Sequence, residues 1–288
     1  MQTIHTIHEL RSAVKQAKID QPGIRIGFVP TMGFLHKGHA SLLEAARTQC
    51  DLVILSIFVN PLQFGPNEDF ERYPRNEEGD LAVAKAAGTD IVFLPSVEEM
   101  YPQQTRTIVS VSQVTERLCG ASRPGHFDGV ATIVSKLFNI VQPDAAYFGL
   151  KDAQQIAVIT QMVNDLNMPV EIIPCPILRE SDGLAMSSRN VYLQPDERKQ
   201  ALVLSASLQM AEGLIREQHT NIDLTMLNEK ITRSIQQAPL AVIDYVEILA
   251  YPSLETISSL KNVEQIIIAL AVKFGKTRLI DNIIIRLV

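Results

Sequence analysis

Two histidines and two glycines fall within one short stretch, Pro30-Thr31-Met32-Gly33-Phe34-Leu35-His36-Lys37-Gly38-His39. The apolar run over residues 24–29 before it reads as a buried strand, and Ala40-Ser41-Leu42-Leu43-Glu44-Ala45-Ala46 after it reads as a helix. The histidines therefore sit where a strand turns into a helix. At such a corner the helix N–H groups and the helix dipole favour a bound anion. His36 and His39 share one face if the helix has already begun, and Gly33 and Gly38 let backbone and ligand approach closely. Such a site can hold a triphosphate, with imidazoles donating to the oxygens that gain charge during displacement at phosphorus. The spacing is poor for a lone zinc site, and no Cys or carboxylate clusters nearby, so nucleotide handling ranks ahead of metal binding.

Two later stretches carry compatible chemistry. Gly149-Leu150-Lys151-Asp152 follows a short apolar strand and precedes a helix. Lys151 is long enough to reach a phosphate, and Asp152 either caps the helix or accepts from a ribose hydroxyl. Met186-Ser187-Ser188-Arg189 lies in a polar stretch after Asp182-Gly183. Two hydroxyls and a guanidinium on a flexible loop suit a phosphate clamp. Taken singly, each has a plainer reading, as helix cap or solvated loop. Together they weigh more. The first two motifs occupy strand ends on one sheet edge, and the third lies at a proposed domain junction, where ligand clefts favour placement.

The elements that must position these groups follow from periodicity and turn residues. Thr6-Ile7-His8-Glu9 resembles a capping box opening a helix to about residue 17, broken by Pro22-Gly23. Strands are expected at 24–29, 51–59, 90–94, 145–148 and 170–173, with an outlying one at 107–111. Helices are expected from the histidine motif to about 50, and at 77–87, 125–142 and 153–166. The loop over residues 60–67 leaves the same sheet edge as the histidine motif. On the 125–142 helix, Val130, Ile133, Val134, Leu137, Phe138 and Val141 share one face. This alternation predicts an α/β fold, a Rossmann-like doubly wound parallel sheet over 1–177. From 178 the pattern becomes α+β. Helices at 195–217 and 221–237 precede strands at 241–249, 266–272 and 281–287, a smaller C-terminal domain over 178–288.

The chain has 288 residues, 46% of them hydrophobic and 20% charged, with a net charge of −6. That balance, with a pI near 5.6, argues against nucleic acid as the main partner. Cys50, Cys119 and Cys175 are far apart and form no CxxC, which fits buried thiols in a reducing compartment. No apolar run is long enough for a membrane span, and the first residues lack the apolar core of a secretory signal. A cytoplasmic protein is expected.

The order of these motifs resembles the HIGH/KMSKS nucleotidylyltransferase superfamily. The match extends to Phe58-Val59-Asn60-Pro61-Leu62-Gln63-Phe64, Tyr73-Pro74-Arg75, Arg123-Pro124-Gly125-His126-Phe127-Asp128-Gly129-Val130, Tyr147-Phe148-Gly149, Lys151-Asp152 with Gln154-Gln155, and Asp182-Gly183-Leu184-Ala185-Met186-Ser187-Ser188-Arg189-Asn190. With these, essentially the whole chain resembles the pantothenate synthetase (pantoate–β-alanine ligase) family. The resemblance implies a two-step reaction belonging to coenzyme A biosynthesis. The carboxylate of (R)-pantoate attacks the α-phosphorus of ATP, and the amine of β-alanine then displaces AMP from pantoyl adenylate. It further implies that Met32, Gly33, Phe34, Leu35, His36, Lys37, Gly38 and His39 bind ATP. His39 is then the catalytic proton donor, with His36 its partner on the phosphates.

By the same resemblance Gly149, Leu150, Lys151, Asp152, Leu178, Met186, Ser187, Ser188 and Arg189 complete the nucleotide site, Lys151 sharing in catalysis. The C-terminal domain then closes over the ATP. Gln63 and Gln155 are the pantoate residues, and Asn60, Tyr73 and Arg123 are further members of the substrate pocket. Magnesium accompanies the triphosphate. Asp80 is considered as its ligand, against a plain surface acid. A homodimer is expected from the family.

The family usually has Gly-Glu-Lys-Asp where this chain has Leu150 in place of the carboxylate, and Phe34 is larger than the expected small residue. Three rivals remain. They are an HxGH adenylyl transferase that leaves the nucleotide on a different small acid, an aminoacyl-tRNA synthetase, and a non-catalytic nucleotide-binding module. The acidic balance and lack of an appended RNA-binding domain oppose the second. Retention of both histidines, Lys151 and Ser187-Ser188-Arg189 opposes the third.

Overall fold

The computed structural model describes all residues except Asn67, Asp69, His219, Thr220 and Val288. The loop expected over 60–67 is therefore described only to Pro66. The chain divides into two compact units. One comprises Met1–Ser112, Arg123–Leu150 and Val158–Pro176, and the other Gln113–Ser122, Lys151–Ala157 and Ile177–Val288.

In chain order the elements of the first part are β1 (Gln2–Ile4), α1 (Ile7–Asp20), β2 (Ile26–Thr31), α2 (Lys37–Gln49), β3 (Leu52–Ile57), α3 (Glu77–Ala86), β4 (Ile91–Phe93) and α4 (Val97–Met100). They continue with α5 (Cys119–Ser122), α6 (His126–Val141), β5 (Ala145–Gly149), α7 (Ala153–Asp165) and β6 (Glu171–Cys175). Six parallel strands form one sheet in the order β1-β4-β3-β2-β5-β6. Near-continuous burial of β2, β3 and β5 follows from helices lying over a parallel sheet, which leaves such strands no face for water. Val29, Leu43, Val53, Leu55, Val92 and Tyr147 are fully buried in one core cluster of this unit. The expected apolar face of α6 is buried throughout, and Phe138 meets Phe28 edge-on with ring centroids 6.4 Å apart. All three cysteines are free and buried.

Residues 107–111 form no strand. Ile108 is exposed, and Val109 N–H donates to the Thr132 hydroxyl of α6 at 2.9 Å instead of to a strand. At the other end, β1 lies in a polar N-terminus that gives no strand signal. It is held by parallel pairing of Thr3 and Ile4 with Val92 and Phe93.

The second unit holds α8 (Pro195–Ala201), α9 (Val203–Gln218), α10 (Leu224–Gln236), β7 (Ala241–Ala250), β8 (Gln265–Phe274) and β9 (Thr277–Arg286). The strands form an antiparallel sheet in the order β7-β8-β9. The single helix expected over 195–217 is two helices, because Leu202 closes α8 by donating to Gln200 rather than extending the ladder. Leu208, Ile231, Ile235, Ile266, Leu270 and Phe274 lie at the centre of this unit's core. No helix among the described residues is long and apolar enough to cross a membrane.

Candidate active site

β2 pairs with β3 on one side and β5 on the other. The strand order reverses there, so the carboxyl ends of β2 and β5 form the switch point at which such sheets bind ligands. After β2 the chain turns sharply. Gly33 takes φ +84° and Phe34 φ +50°, both left-handed. A Cβ on Gly33 would lie 2.9 Å from Asp80 Oδ2 and from Ile57 Cγ2, so the turn requires glycine. The turn aims the N–H groups of Phe34 and Leu35 at the Asp80 carboxylate, 2.9 and 2.5 Å away.

Asp80 is 3% exposed, so it is not a surface acid. In sequence it is indistinguishable from the other acids in the first turn of its helix. The loop 46 residues earlier in sequence covers it. Burial raises its carboxyl above the usual aspartate value, partly offset by the two backbone donors. Both its oxygens already accept from the loop, and among the described residues no three His, Cys, Asp or Glu gather into a cation site.

His36 is the N-cap of α2. Its Nδ1 accepts from Gly38 N–H at 3.1 Å, and His39 Nδ1 accepts from His36 N–H at 3.2 Å, a reciprocal capping box. The rings stack with centroids 4.1 Å apart. Because each Nδ1 accepts from backbone, a neutral ring carries its proton on Nε2. The local fold thus sets both histidines as Nε2–H donors at a helix N-terminus.

The neighbouring turn follows β3. Asn60 is 1% exposed and caps a 3-10 turn, Pro61–Gln63. Its Oδ1 accepts from Tyr101 O–H at 2.8 Å and Leu62 N–H at 3.3 Å. Its Nδ2 donates to Gln63 Oε1 at 3.2 Å and to the Gly129 carbonyl at 3.1 Å. Gln63 Nε2 donates to Met32 Sδ at 3.0 Å, so Gln63 adjoins the histidine corner. Tyr73 is buried, with its ring edge-on to Phe64 at 6.0 Å.

Arg123 grips Glu68 through Nε at 2.7 Å and Nη2 at 2.5 Å, and its Nη1 donates to His126 Nε2 at 3.0 Å. His126 Nδ1–H donates in turn to the Gln63 carbonyl at 2.8 Å. Burial works to raise the Glu68 carboxyl, but the Arg123 bonds and charge prevail and hold it below the usual range. Sequence reasoning assigns no role to His126 or Tyr101. The first sits inside the Arg-Pro-Gly-His motif, which is a usable signal. Tyr101 carries none.

Leu150–Asp152 form a 3-10 turn before α7, and Asn282 Nδ2 donates to the Lys151 carbonyl at 3.0 Å. Gln155 lies half-buried in the first turn of α7. Beside it, buried Gln154 accepts from Cys119 N–H at 2.9 Å and donates to the carbonyls of Val114 and Arg117 at 2.9 and 2.8 Å.

The segment before Ser187 is a braced hairpin rather than a flexible loop. Met186 N–H donates to the exposed Leu178's carbonyl at 3.0 Å, and Arg179 bridges Ala185. Arg179 forks onto the buried Asp281 at 2.7 and 3.0 Å, and Arg198 pairs with Glu180 and Asp182 at 2.8 and 2.6 Å. Ser187 Oγ then caps the turn Ser188–Tyr192, accepting from Arg189 N–H at 3.3 Å. Of the residues assigned from sequence, Met32 to His39, Asn60, Gln63, Tyr73, Arg123, Gly149 and Leu150 belong to the first unit. Lys151, Asp152, Gln155, Leu178 and Met186 to Arg189 belong to the second.

A family model described as pantoate-beta-alanine ligase matches residues 2–284. The chain belongs to that family. It is 58% identical over 285 residues to the pantothenate synthetase of Acetivibrio thermocellus, covering 99% of each chain. It is 55% identical over 285 residues to that of Caldicellulosiruptor saccharolyticus, again covering 99% of each. Its fold matches the crystal structure of pantothenate synthetase from Thermus thermophilus with a TM-score of 0.90, at 45% identity over 98% of this chain and 99% of that one. The Francisella tularensis pantoate-beta-alanine ligase, complexed with beta-gamma ATP and beta-alanine, matches with a TM-score of 0.78 at 34% identity, over 98% of this chain and 97% of that one. As a pantoate-beta-alanine ligase family member with both histidines in place, the chain is a ligase of pantothenate biosynthesis.

Proposed function

We propose that the chain uses ATP to join (R)-pantoate to β-alanine, giving pantothenate, AMP and pyrophosphate through pantoyl adenylate. The observation that carries this reading is the corner after β2, where two capped histidines offer Nε2–H donors beside the amide of Gln63. The first step needs a carboxylate held in line with the α-phosphorus and donors on the oxygens that gain charge as pyrophosphate leaves. It needs no protein nucleophile. His39, in the first turn of α2, is assigned the larger share of that donation, and His36 the smaller.

Gln63 and Gln155 hold the acid with neutral amides. Lys151 and the Ser187-Ser188-Arg189 turn act on the phosphates. Leu150 contributes through backbone, which leaves the chemistry unaffected by the missing carboxylate. In the second step the amine of β-alanine attacks the acyl carbon, the acyl–phosphate C–O bond breaks, and AMP leaves. Magnesium enters with the nucleotide as part of the substrate. The family resemblance also supports a cytoplasmic homodimer.

The alternative is an HxGH adenylyl transferase that leaves the nucleotide on its product. Product analysis with ATP, pantoate and β-alanine separates the two. The proposal predicts stoichiometric AMP, pyrophosphate and pantothenate, with AMP release dependent on the amine. A stable nucleotidyl product with no amine requirement overturns it.

A further inference from the structure

Gln63 carries the acid-binding role in the reading above, yet an amide can present either a donor or an acceptor. What decides its orientation lies outside the residues that touch substrate. Leu62 N–H and the Gly129 carbonyl are backbone groups of fixed polarity, and they flank Asn60 on opposite sides of its amide. They leave one arrangement for Asn60, with Oδ1 facing Leu62 N–H and Nδ2 facing the Gly129 carbonyl. Tyr101 reinforces it by donating its O–H to the same Oδ1 at 2.8 Å. All four hydrogen-bonding positions of the Asn60 amide are thereby filled within the protein. Its remaining N–H points at Gln63, so the Gln63 atom 3.2 Å away is the oxygen. The nitrogen of Gln63 faces the other way, toward Met32 of the nucleotide corner, where its partner is a thioether. A thioether is a weak acceptor, and an incoming carboxylate or hydroxyl oxygen outcompetes it.

We propose that Tyr101 is a positioning residue for the acid substrate, its hydroxyl locking Asn60 so that Gln63 presents its N–H donors to pantoate. The inference rests on the assignment of Gln63 to pantoate. Tyr101 is well placed for the task. It ends the short helix α4, packs obliquely on Phe58 with ring centroids 6.0 Å apart, and carries the Lys136 ammonium over its ring at 4.8 Å. Lys136 is tied to the Met100 carbonyl, which fixes that end of the assembly. Burial pushes the Tyr101 hydroxyl well above the usual tyrosine range, so it remains a donor wherever the enzyme works. Asn60 thus serves substrate through Gln63.

The test is a double-mutant cycle on Tyr101→Phe and Gln63→Ala, with KM and kcat measured separately for each substrate. Tyr101→Phe is expected to lower kcat/KM for pantoate by about tenfold through KM, as loss of one link in a buried network does, with KM for ATP and β-alanine unchanged. In the Gln63→Ala background the same substitution is expected to have no further effect on pantoate. An additive effect there, or an equal rise in the ATP KM, marks a merely structural role and overturns the proposal. If Gln63→Ala alone leaves pantoate kinetics intact, the parent assignment of Gln63 fails and the inference with it. Should Tyr101→Phe not fold, Gln63→Glu remains decisive, because it replaces the donor by an acceptor. It is expected to lose pantoate turnover more severely than Gln63→Ala, and wild-type KM for pantoate in Gln63→Glu overturns the proposal.

Discussion

Asp80 Oδ1 accepts a hydrogen bond from Leu35 N–H at 2.5 Å, and Oδ2 takes the preceding N–H, that of Phe34, at 2.9 Å. The anion that this left-handed turn attracts most closely is therefore the protein's own. Replacing Asp80 by Ala strips two part-buried backbone donors of their acceptor. At about 1–3 kcal/mol for each unsatisfied group, Asp80→Ala is expected to destabilise the protein and raise KM for ATP. Urea unfolding and steady-state kinetics check both. Unchanged stability contradicts the role given to Asp80.

The same carboxyl makes a pH prediction of definite sign. Its value is raised in the folded chain, chiefly by burial, above the aspartate value of 3.8. Below the ordinary value folded and unfolded chains both hold the proton. Between the two values only the folded chain does. The stabilising contribution is thus complete at low pH and is lost as pH rises through the folded value. Unfolding free energies of wild type minus Asp80→Asn are expected to fall across that window and then level off. A difference that grows with pH contradicts the account.

His39 caps α2 through Nδ1, and in the proposed reaction it donates through Nε2. Asn in its place keeps an acceptor for the cap and removes the imidazole. Asn and Ala at position 39 are therefore both expected to lose about 100-fold or more in kcat, the usual scale for a positioned proton donor, while Asn retains more of the stability. Thermal melts and kcat measured together separate the jobs. Wild-type turnover in His39→Asn rules out the catalytic one.

Much of this is legible in sequence because it is local. The strand and helix flanking His36 and His39 follow from runs of apolar residues, and the apolar face of α6 follows from its spacing. Long-range partnerships leave no such trace. Asp80 looks like one more acid in a charged helix turn, since the two N–H groups that hold it belong to another loop. Arg179 and Asp281 pair across a long stretch of chain, so no local spacing announces them. Residues 107–111 have strand-forming types, but the Val109 N–H goes to the Thr132 side chain, and Leu202 interrupts a helical pattern with no proline or glycine to announce it. Tyr101 carries no motif at all, and only its contact with Asn60 reveals it.

Gly129 shows how tightly α6 abuts the Gln63 turn. A Cβ there would lie 2.2 Å from the Leu62 carbonyl oxygen and 2.6 Å from the Gln63 Cα. Gly129→Ala must push the turn away from the helix, which breaks the Asn60 bond to the Gly129 carbonyl. Overpacking of this kind costs about 1–3 kcal/mol, and the loss of activity is expected to fall on pantoate rather than on ATP. Kinetics with each substrate varied in turn check it, and a change confined to ATP contradicts the arrangement.

The most direct test of the whole account is pantoate-dependent exchange of labelled pyrophosphate into ATP, with β-alanine omitted. The acid is activated before the amine is needed, so exchange is expected with pantoate and none without it, and His39→Asn is expected to lose it. Absence of exchange from folded wild-type protein supplied with ATP, magnesium and pantoate contradicts the adenylate mechanism.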